Sequence, residues 1–133
     1  MFSLFTIKDA NQVLPTVIKK FKNIVNLKEQ VMLIQNEMET NPKYMSNFKD
    51  FVIKKQELNT ALSNFYKAIE DLESMGVMIK SIEEGLLDFP STRFNEEVFL
   101  CWKEGETEIK FWHGKDEGFM GRKPLSVSDE SLV

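Results

Sequence analysis

The chain has 133 residues, of which 42% are hydrophobic and 29% are charged, and its net charge at neutral pH is −4. This size and composition allow one domain with its own hydrophobic core and exclude a largely disordered chain. The acidic balance also argues against a general nucleic-acid binder, because phosphate binding depends on Lys and Arg side chains.

The first predicted element is a long helix that begins near residue 6. Thr6 can cap this helix with its hydroxyl group, and Asp9 places a carboxylate in the first turn. Positions at alternating spacings of three and four from Leu14 to Met38 are apolar except for Lys28 and Gln35, and flanking apolar residues predict a wide apolar face. Pro15 lies inside this pattern and cannot donate a backbone hydrogen bond, so we expect a kink or a short separate first turn there.

A second helix with the same periodicity follows a short turn. Asn41 is predicted to cap this helix, Pro42 to occupy its first position, and Gly76 to end it. Two helices of about 30 residues joined by a short turn must run antiparallel, and each is roughly 45 Å long. Their apolar faces exceed what one chain readily covers, so we predict a homodimer in which two hairpins form a four-helix bundle. The alternative is a hairpin that is covered wholly by the C-terminal region of its own chain.

The periodicity changes from helical to alternating near residue 77. Short strands are predicted at residues 77–79, 86–89, 98–102 and 109–112, and Pro90 is predicted to stop the second of them. We expect a three- or four-stranded antiparallel β-meander over about 77–112, an irregular glycine-rich loop at 113–125 and a flexible tail at 126–133. The predicted fold class is α+β: a single domain over residues 1–125, with a long antiparallel two-helix hairpin at about 6–75 packed on the small meander.

Several short runs of the chain resemble a known family. These runs are Phe5-Thr6, Ala10-Asn11, Leu14-Pro15, Leu86-Leu87-Asp88-Phe89-Pro90, Leu100-Cys101-Trp102, Trp112-His113, Gly118-Phe119, Gly121-Arg122 and Pro124-Leu125. Over nearly the whole chain they resemble domain of unknown function 2203, an uncharacterised prokaryotic family. The resemblance implies no particular activity, cofactor or catalytic residue. One departure is Phe94-Asn95, where the family typically has a glycine-containing turn, and it concerns the conformation of that loop.

Polar residues that can carry chemistry lie at predicted strand ends and in loops, where functional groups are commonly displayed. The candidate ligand-binding residues are Asp88, Arg93, His113, Asp116 and Arg122. His113 is the only histidine, and a free histidine titrates near neutral pH, which suits a general base. It also suits a metal ligand that acts with Cys101 and a carboxylate such as Asp88 or Asp116. The more ordinary interpretation is a hydrogen-bonded histidine that fixes the glycine-rich loop.

The two arginines and the cysteine each have two interpretations. Arg93 and Arg122 carry planar guanidinium groups that suit a small anionic ligand, whereas the alternative is an internal salt bridge to Asp88 or Asp116. Cys101 lies in an apolar run, so we expect it to be buried as a small hydrophobic residue rather than exposed as a nucleophile.

Two functional hypotheses remain from the sequence. The first is a dimeric interaction or scaffold protein; the second is a protein that binds a small anionic ligand or a metal at the C-terminal sheet and loop. No phosphate-binding loop, dinucleotide fingerprint or nucleophile elbow is present, so enzymatic activity stays open and no cofactor is assigned. No apolar run reaches the ~20 residues that span a bilayer, and the single cysteine favours a reducing compartment. We therefore expect a soluble, cytoplasmic protein with no membrane partner.

Overall fold

A computed structural model describes residues 4–125, and it confirms the predicted α+β fold. The helices are α1 (Ile7–Thr40), α2 (Lys43–Ser46) and α3 (Phe48–Glu73), and the strands are β1 (Met78–Ser81), β2 (Leu86–Arg93), β3 (Glu96–Lys103), β4 (Phe111–Gly114) and β5 (Lys123–Pro124). The chain forms two compact units, one built from the residues before 19 and after 71 and the other from Lys19–Asp71. The tail predicted at 126–133 lies outside the described residues.

The start of α1 is fixed by a reciprocal cap. The Thr6 hydroxyl accepts the Asp9 backbone N–H at 2.9 Å, and the Asp9 carboxylate faces the Thr6 N–H at 3.5 Å. The helix then runs without interruption past Pro15, so the prediction of a short separate first turn is wrong. Leu14 and Val17, on either side of Pro15, are fully buried, and their packing holds the helix together across the missing backbone bond.

In the unit Lys19–Asp71, α1 and α3 run antiparallel, as predicted. Lys20 pairs with Asp71, and Val31 packs with Leu58 and Ala61 in a small buried cluster. Within residues 4–125, no helix has a segment both long enough and apolar enough to cross a membrane.

The turn between these helices differs from the prediction. It contains the separate short helix α2, and the chain is extended at Asn47 before α3 begins. The Asn41 side chain accepts the Lys43 N–H at 3.1 Å, and the Asn47 side chain accepts the Asp50 N–H at 3.2 Å. The side-chain cap of α3 is therefore Asn47, whereas the sequence predicts Asn41 as the cap of a single second helix.

The five strands form one antiparallel sheet in chain order, so each neighbouring pair is a hairpin or a short connection. The prediction that Pro90 stops the second strand is wrong, since β2 continues to Arg93. Pairing between β1 and β2 ends at Asp88, and the carbonyl of Pro90 turns outward to accept the Phe5 N–H at 2.8 Å. The missing N–H of Pro90 therefore lies on an edge where no strand needs it.

The last strand was not predicted. Lys123 and Pro124 form β5, which pairs with Trp112 and Phe111, inside the segment that the sequence suggested was only loop. Because β4 extends to Gly114, His113 also belongs to the sheet rather than to the loop.

The two faces of the sheet differ in character. The Phe89 face is apolar and meets the start of the chain, where the Phe5 ring lies edge-on to Phe89 at 5.2 Å. The side chain of Asn11 on α1 accepts the Ile109 N–H at 2.7 Å and ties the helix to the strand connection. Asp88 and Cys101 project from the opposite face, since neighbouring residues of a strand alternate between faces.

A candidate metal centre on the sheet

Strand register places three potential metal ligands on one face of the sheet. Asp88 on β2 lies directly opposite Cys101 on β3, and His113 on β4 lies opposite Phe99, two residues from Cys101. Residues that face one another across strands, or that are two apart along a strand, share a face. All three side chains are buried, with exposures of 3% for Asp88, 1% for Cys101 and 2% for His113.

The ligating atoms of these three residues converge. A carboxylate oxygen of Asp88, the sulfur of Cys101 and a ring nitrogen of His113 all lie within 4.8 Å of one another. We refer to Asp88, Cys101 and His113 as the sheet cluster. A tetrahedral zinc site with bond lengths of about 2.0–2.3 Å separates its ligand atoms by roughly 3.3–3.6 Å. Side-chain movements of up to about 1 Å would therefore bring the ligating atoms of the sheet cluster to coordination distance.

The hydrogen bonds of His113 fix the direction of its ring. Nδ1 lies 3.0 Å from the Gly114 carbonyl oxygen, and Nε2 lies 2.9 Å from Oδ1 of Asp88. Oxygen acceptors face both ring nitrogens, so the two contacts fix the ring plane, and Nε2 is the nitrogen directed at the other two members of the sheet cluster. A histidine that ligates a metal typically donates its second ring N–H to a carbonyl or a carboxylate in the same way.

Cys101 is held as a neutral thiol by its surroundings. Burial raises the pKa of the Cys101 thiol to about 11, and the nearby charge of Arg122 opposes that rise. The thiol is free, since no second cysteine exists in the chain. Metal coordination can overcome such a raised pKa, because a bound cation replaces the thiol proton outright.

Arg122 lies beside Cys101 among partly buried polar and aromatic groups. Its Nη2 donates to both carboxylate oxygens of Glu106 at 2.9 Å and to the Cys101 carbonyl oxygen at 3.3 Å. The guanidinium carbon lies 3.9 Å from the ring centre of Phe111 and 4.8 Å from that of Phe119. The side chain is only 14% exposed, and its Nε is buried with no hydrogen-bond partner among residues 4–125.

A model of one protein family, described as an uncharacterized conserved protein and designated DUF2203, matches residues 3–125. The chain belongs to the DUF2203 family. No curated protein and no solved structure gives a match. Asp88, Cys101, His113 and Arg122 occur in four different runs of the resemblance, and the fold of this DUF2203 member brings those four runs to one side of its sheet.

The candidate residues identified in the sequence separate into three groups. Asp88 and His113 are in direct contact, and Cys101 lies next to both. Asp116 is exposed and does not belong to the sheet cluster.

The two arginines are the remaining candidates, and they lie apart. The guanidinium of Arg93 stacks 4.5 Å from the ring centre of Trp112, on the apolar face, whereas Arg122 contacts Cys101. An anionic ligand would therefore have to be held by one arginine alone.

Sequence reasoning missed Glu106, which has three partners near the site. Besides Arg122, its carboxylate accepts the Lys103 N–H at 2.7 Å, and its carbonyl oxygen accepts the Trp102 indole N–H at 2.8 Å. The only local signal is Gly105, whose φ of 101° forms the turn that folds Glu106 back onto β3.

Proposed function

We propose that this protein binds one divalent transition-metal ion, foremost Zn²⁺, through Asp88, Cys101 and His113. The observation that carries this proposal is the convergence of a carboxylate, a thiol and an imidazole nitrogen within 4.8 Å, each from a different strand and each buried. Rigid strands hold such donors more precisely than loops do, which favours a defined coordination geometry.

The charges of the sheet cluster match a divalent ion. A metal-bound thiolate and a carboxylate carry two negative charges, and a neutral imidazole adds none, so a divalent ion makes the buried cluster neutral. Arg122 is already neutralised by Glu106 at 2.9 Å and adds no net charge. Neutrality favours the divalent ion, because an uncompensated charge in a buried site is strongly unfavourable.

The donor types narrow the choice of metal further. Sulfur and imidazole nitrogen suit zinc and related transition metals, whereas Mg²⁺ and Ca²⁺ prefer oxygen donors throughout. Three protein ligands leave a fourth position for water or a substrate, as in zinc enzymes. A reducing, cytoplasmic location fits the same proposal, because it keeps the Cys101 thiol available to the metal.

Titration of the reduced, metal-free protein with Co²⁺ tests the proposal directly. We expect one ion per chain and a near-ultraviolet sulfur-to-cobalt charge-transfer band, which only Cys101 can produce because it is the single cysteine. Cys101→Ser should abolish the band, and Asp88→Asn should weaken binding by more than the roughly 10–100-fold typical of outer-shell changes.

Asp116→Asn is the matched control, because it neutralises an exposed aspartate outside the sheet cluster, and it should bind as the wild type does. A wild-type protein that shows neither the band nor stoichiometric metal after purification would refute metal binding. The Asp88–His113 hydrogen bond would then have a structural role only.

A second candidate function, self-association through the helical hairpin, has its own observation. The unit Lys19–Asp71 exposes seven large apolar side chains: Met32, Leu33, Met45, Phe48, Phe51, Ile53 and Tyr66. We propose that a second copy covers part of this surface, in a dimeric interaction protein with a four-helix bundle.

Analytical ultracentrifugation of matched variants tests this second candidate. Leu33→Glu places a charge at a residue that is 69% exposed in the hairpin, and Phe94→Glu does so at a residue that is 70% exposed on the β2–β3 turn. We expect a wild-type dimer that Leu33→Glu weakens and Phe94→Glu leaves intact. A wild-type monomer at high micromolar concentration would refute this candidate while leaving metal binding untouched.

A further inference from the structure

One hydrogen-bond donor of Arg122 has no acceptor among the described residues. The Nη2 atom is fully engaged with Glu106 and the Cys101 carbonyl, and aromatic rings lie beside the guanidinium group. The Nε atom is buried without a partner among the described residues. Buried donors are nearly always paired, so an unpaired one on an otherwise well-held side chain points to an acceptor that forms in another state of the protein.

The Cys101 sulfur is an acceptor whose strength changes when a metal binds. Arg122 lies beside Cys101, since its Nη2 donates to the Cys101 carbonyl oxygen at 3.3 Å and its charge acts on the thiol. A thiol sulfur is a weak acceptor, whereas a metal-bound thiolate carries negative charge and accepts strongly from N–H groups. Metal coordination by the sheet cluster would therefore create the acceptor that Nε lacks.

We propose that Arg122 donates its Nε–H to the metal-bound sulfur of Cys101 and is the positioning residue that sets the affinity of the site for thiolate-binding metals. This inference rests on the proposed metal binding. Glu106 and the two rings hold the guanidinium plane in place before the metal arrives. Outer-shell donors of this kind orient ligands and tune the metal, and their loss typically weakens binding.

Substitution of Arg122 by lysine separates the effect of the hydrogen bond from the effect of the charge. Lysine in its place keeps the positive charge opposite Glu106 but has a single flexible ammonium group and no Nε–H in the guanidinium plane. A purely electrostatic role therefore survives Arg122→Lys, whereas a directed hydrogen bond does not.

Competition titrations of Co²⁺ against a chelator should compare Arg122→Lys, Arg122→Met and Arg93→Met. We expect the two Arg122 variants to bind roughly 10–100-fold more weakly than the wild type and to shift the charge-transfer band. Arg93→Met is the matched control, because Arg93 also stacks on an aromatic ring but on the opposite face of the sheet, and it should bind normally. Arg122→Lys with wild-type affinity and an unshifted band would overturn the proposal.

A measurement on the wild type avoids dependence on variants that fold poorly. In protein labelled with ¹⁵N-arginine and loaded with ¹¹³Cd²⁺, the Arg122 Nε–H proton should move downfield and couple to the cadmium nucleus through the sulfur. An Nε–H resonance that is identical in the metal-free and cadmium-loaded proteins would overturn the role of Arg122, even though cadmium binds. Failure of the wild type to bind Cd²⁺ and Co²⁺ would instead refute the metal site itself, so the two failures are distinguishable.

Discussion

The hydrogen bond between Asp88 and His113 joins two strands that are not neighbours. Asp88 lies on β2 and His113 on β4, and the bond crosses β3 between them. Such a bond constrains the face of the sheet in a way that strand pairing alone does not. Because both side chains are buried, the bond is shielded from competing water.

Removing the Asp88 carboxylate tests the strength of this bond in the metal-free protein. Asp88→Ala leaves Nε2 of His113 buried without its partner, which we expect to lower the free energy of unfolding by about 1–3 kcal/mol. Asp88→Asn should cost less, since its amide can donate to a neutral imidazole. Urea denaturation measures both values.

Asp116→Ala is the control for that prediction. Asp116 is exposed, and surface substitutions usually change stability by less than about 0.5 kcal/mol. Equal losses for Asp88→Asn and Asp88→Ala would show that the hydrogen bond does not contribute and that the charge alone matters.

Cys101 should react slowly with alkylating reagents in the folded protein. The thiolate is the species that iodoacetamide alkylates, and burial raises the pKa of Cys101 to about 11. Below that pH the folded, metal-free protein holds a neutral thiol, so alkylation should be slow at pH 8 and should accelerate as the pH rises toward 11. Mass spectrometry follows the reaction, and the protein unfolded in urea is the control.

A fast reaction in the folded protein at pH 8, equal to the rate in urea, would contradict the burial of Cys101. Bound metal should slow the reaction further in the folded state, because the sulfur lone pair is then engaged. Protection by Co²⁺ in the wild type but not in Asp88→Asn would link this reactivity to the sheet cluster.

The sequence identified most of the candidate site but not its assembly. Residue type alone indicates Asp88, Cys101 and His113 as candidate metal ligands. Their convergence depends on strand register, and periodicity does not fix the register between β3 and β4, which a connection of several residues joins. The same limit explains Glu106, whose role follows from the turn at Gly105 rather than from any motif.

At the scale of elements, the β2–β3 hairpin contains local strain. Phe94 and Asn95 form a two-residue turn with φ values of 51° and 66°. Positive φ at both positions is what a type I′ turn requires, and Asn or Gly is usual there. Asn95 tolerates this conformation, whereas the Cβ of a bulky residue such as Phe94 is crowded in it.

Replacing Phe94 with asparagine should relieve this strain. We expect Phe94→Asn to raise the free energy of unfolding by about 0.5–1 kcal/mol, since asparagine adopts the left-handed conformation more readily. The stacking of Arg93 on the Phe94 ring, at 5.5 Å, is lost in the variant and offsets part of the gain. Thermal and urea unfolding measure the difference.

Phe94→Ala is the matched control, because it loses the same ring contact but keeps a side chain that disfavours positive φ. A Phe94→Asn protein no more stable than Phe94→Ala would mean that backbone strain at this turn is negligible.

Elements with a long periodic pattern are predicted correctly from the sequence. Elements whose bounds depend on a local contact are not. The long helices and the strongest strand, β3, were found from their patterns. Proline predicts a strand end at residue 90, but its position beyond the end of β1 allows β2 to continue. The break at Asn47 depends on a side-chain cap at 3.2 Å, and β5 has only two residues, too few for any periodicity.

At the scale of the whole molecule, burial is uneven between the two compact units. The unit that contains the sheet buries large side chains such as Trp102, Phe89 and Leu100. In the unit Lys19–Asp71, the central cluster of Val31, Leu58 and Ala61 is small, and several partly buried residues surround it. Regions with few buried apolar contacts open at lower free energy than the global unfolding reaction.

Hydrogen exchange should therefore differ between the units and depend on concentration. At low micromolar protein, we expect amides at residues 26–40 and 48–60 to exchange faster than those at 86–93 and 96–103, because less apolar surface protects them. If a second copy covers the hairpin, association adds binding free energy to the folded state. Protection at 26–40 and 48–60 should then increase at high micromolar protein, while protection in the strands changes less. Mass spectrometry of peptic fragments at the two concentrations measures both effects.

Leu33→Glu should remove the concentration dependence but keep the difference between the units. Equal exchange of all four segments at low concentration would show that the hairpin is as stable as the sheet without a partner, which would remove the physical reason for self-association.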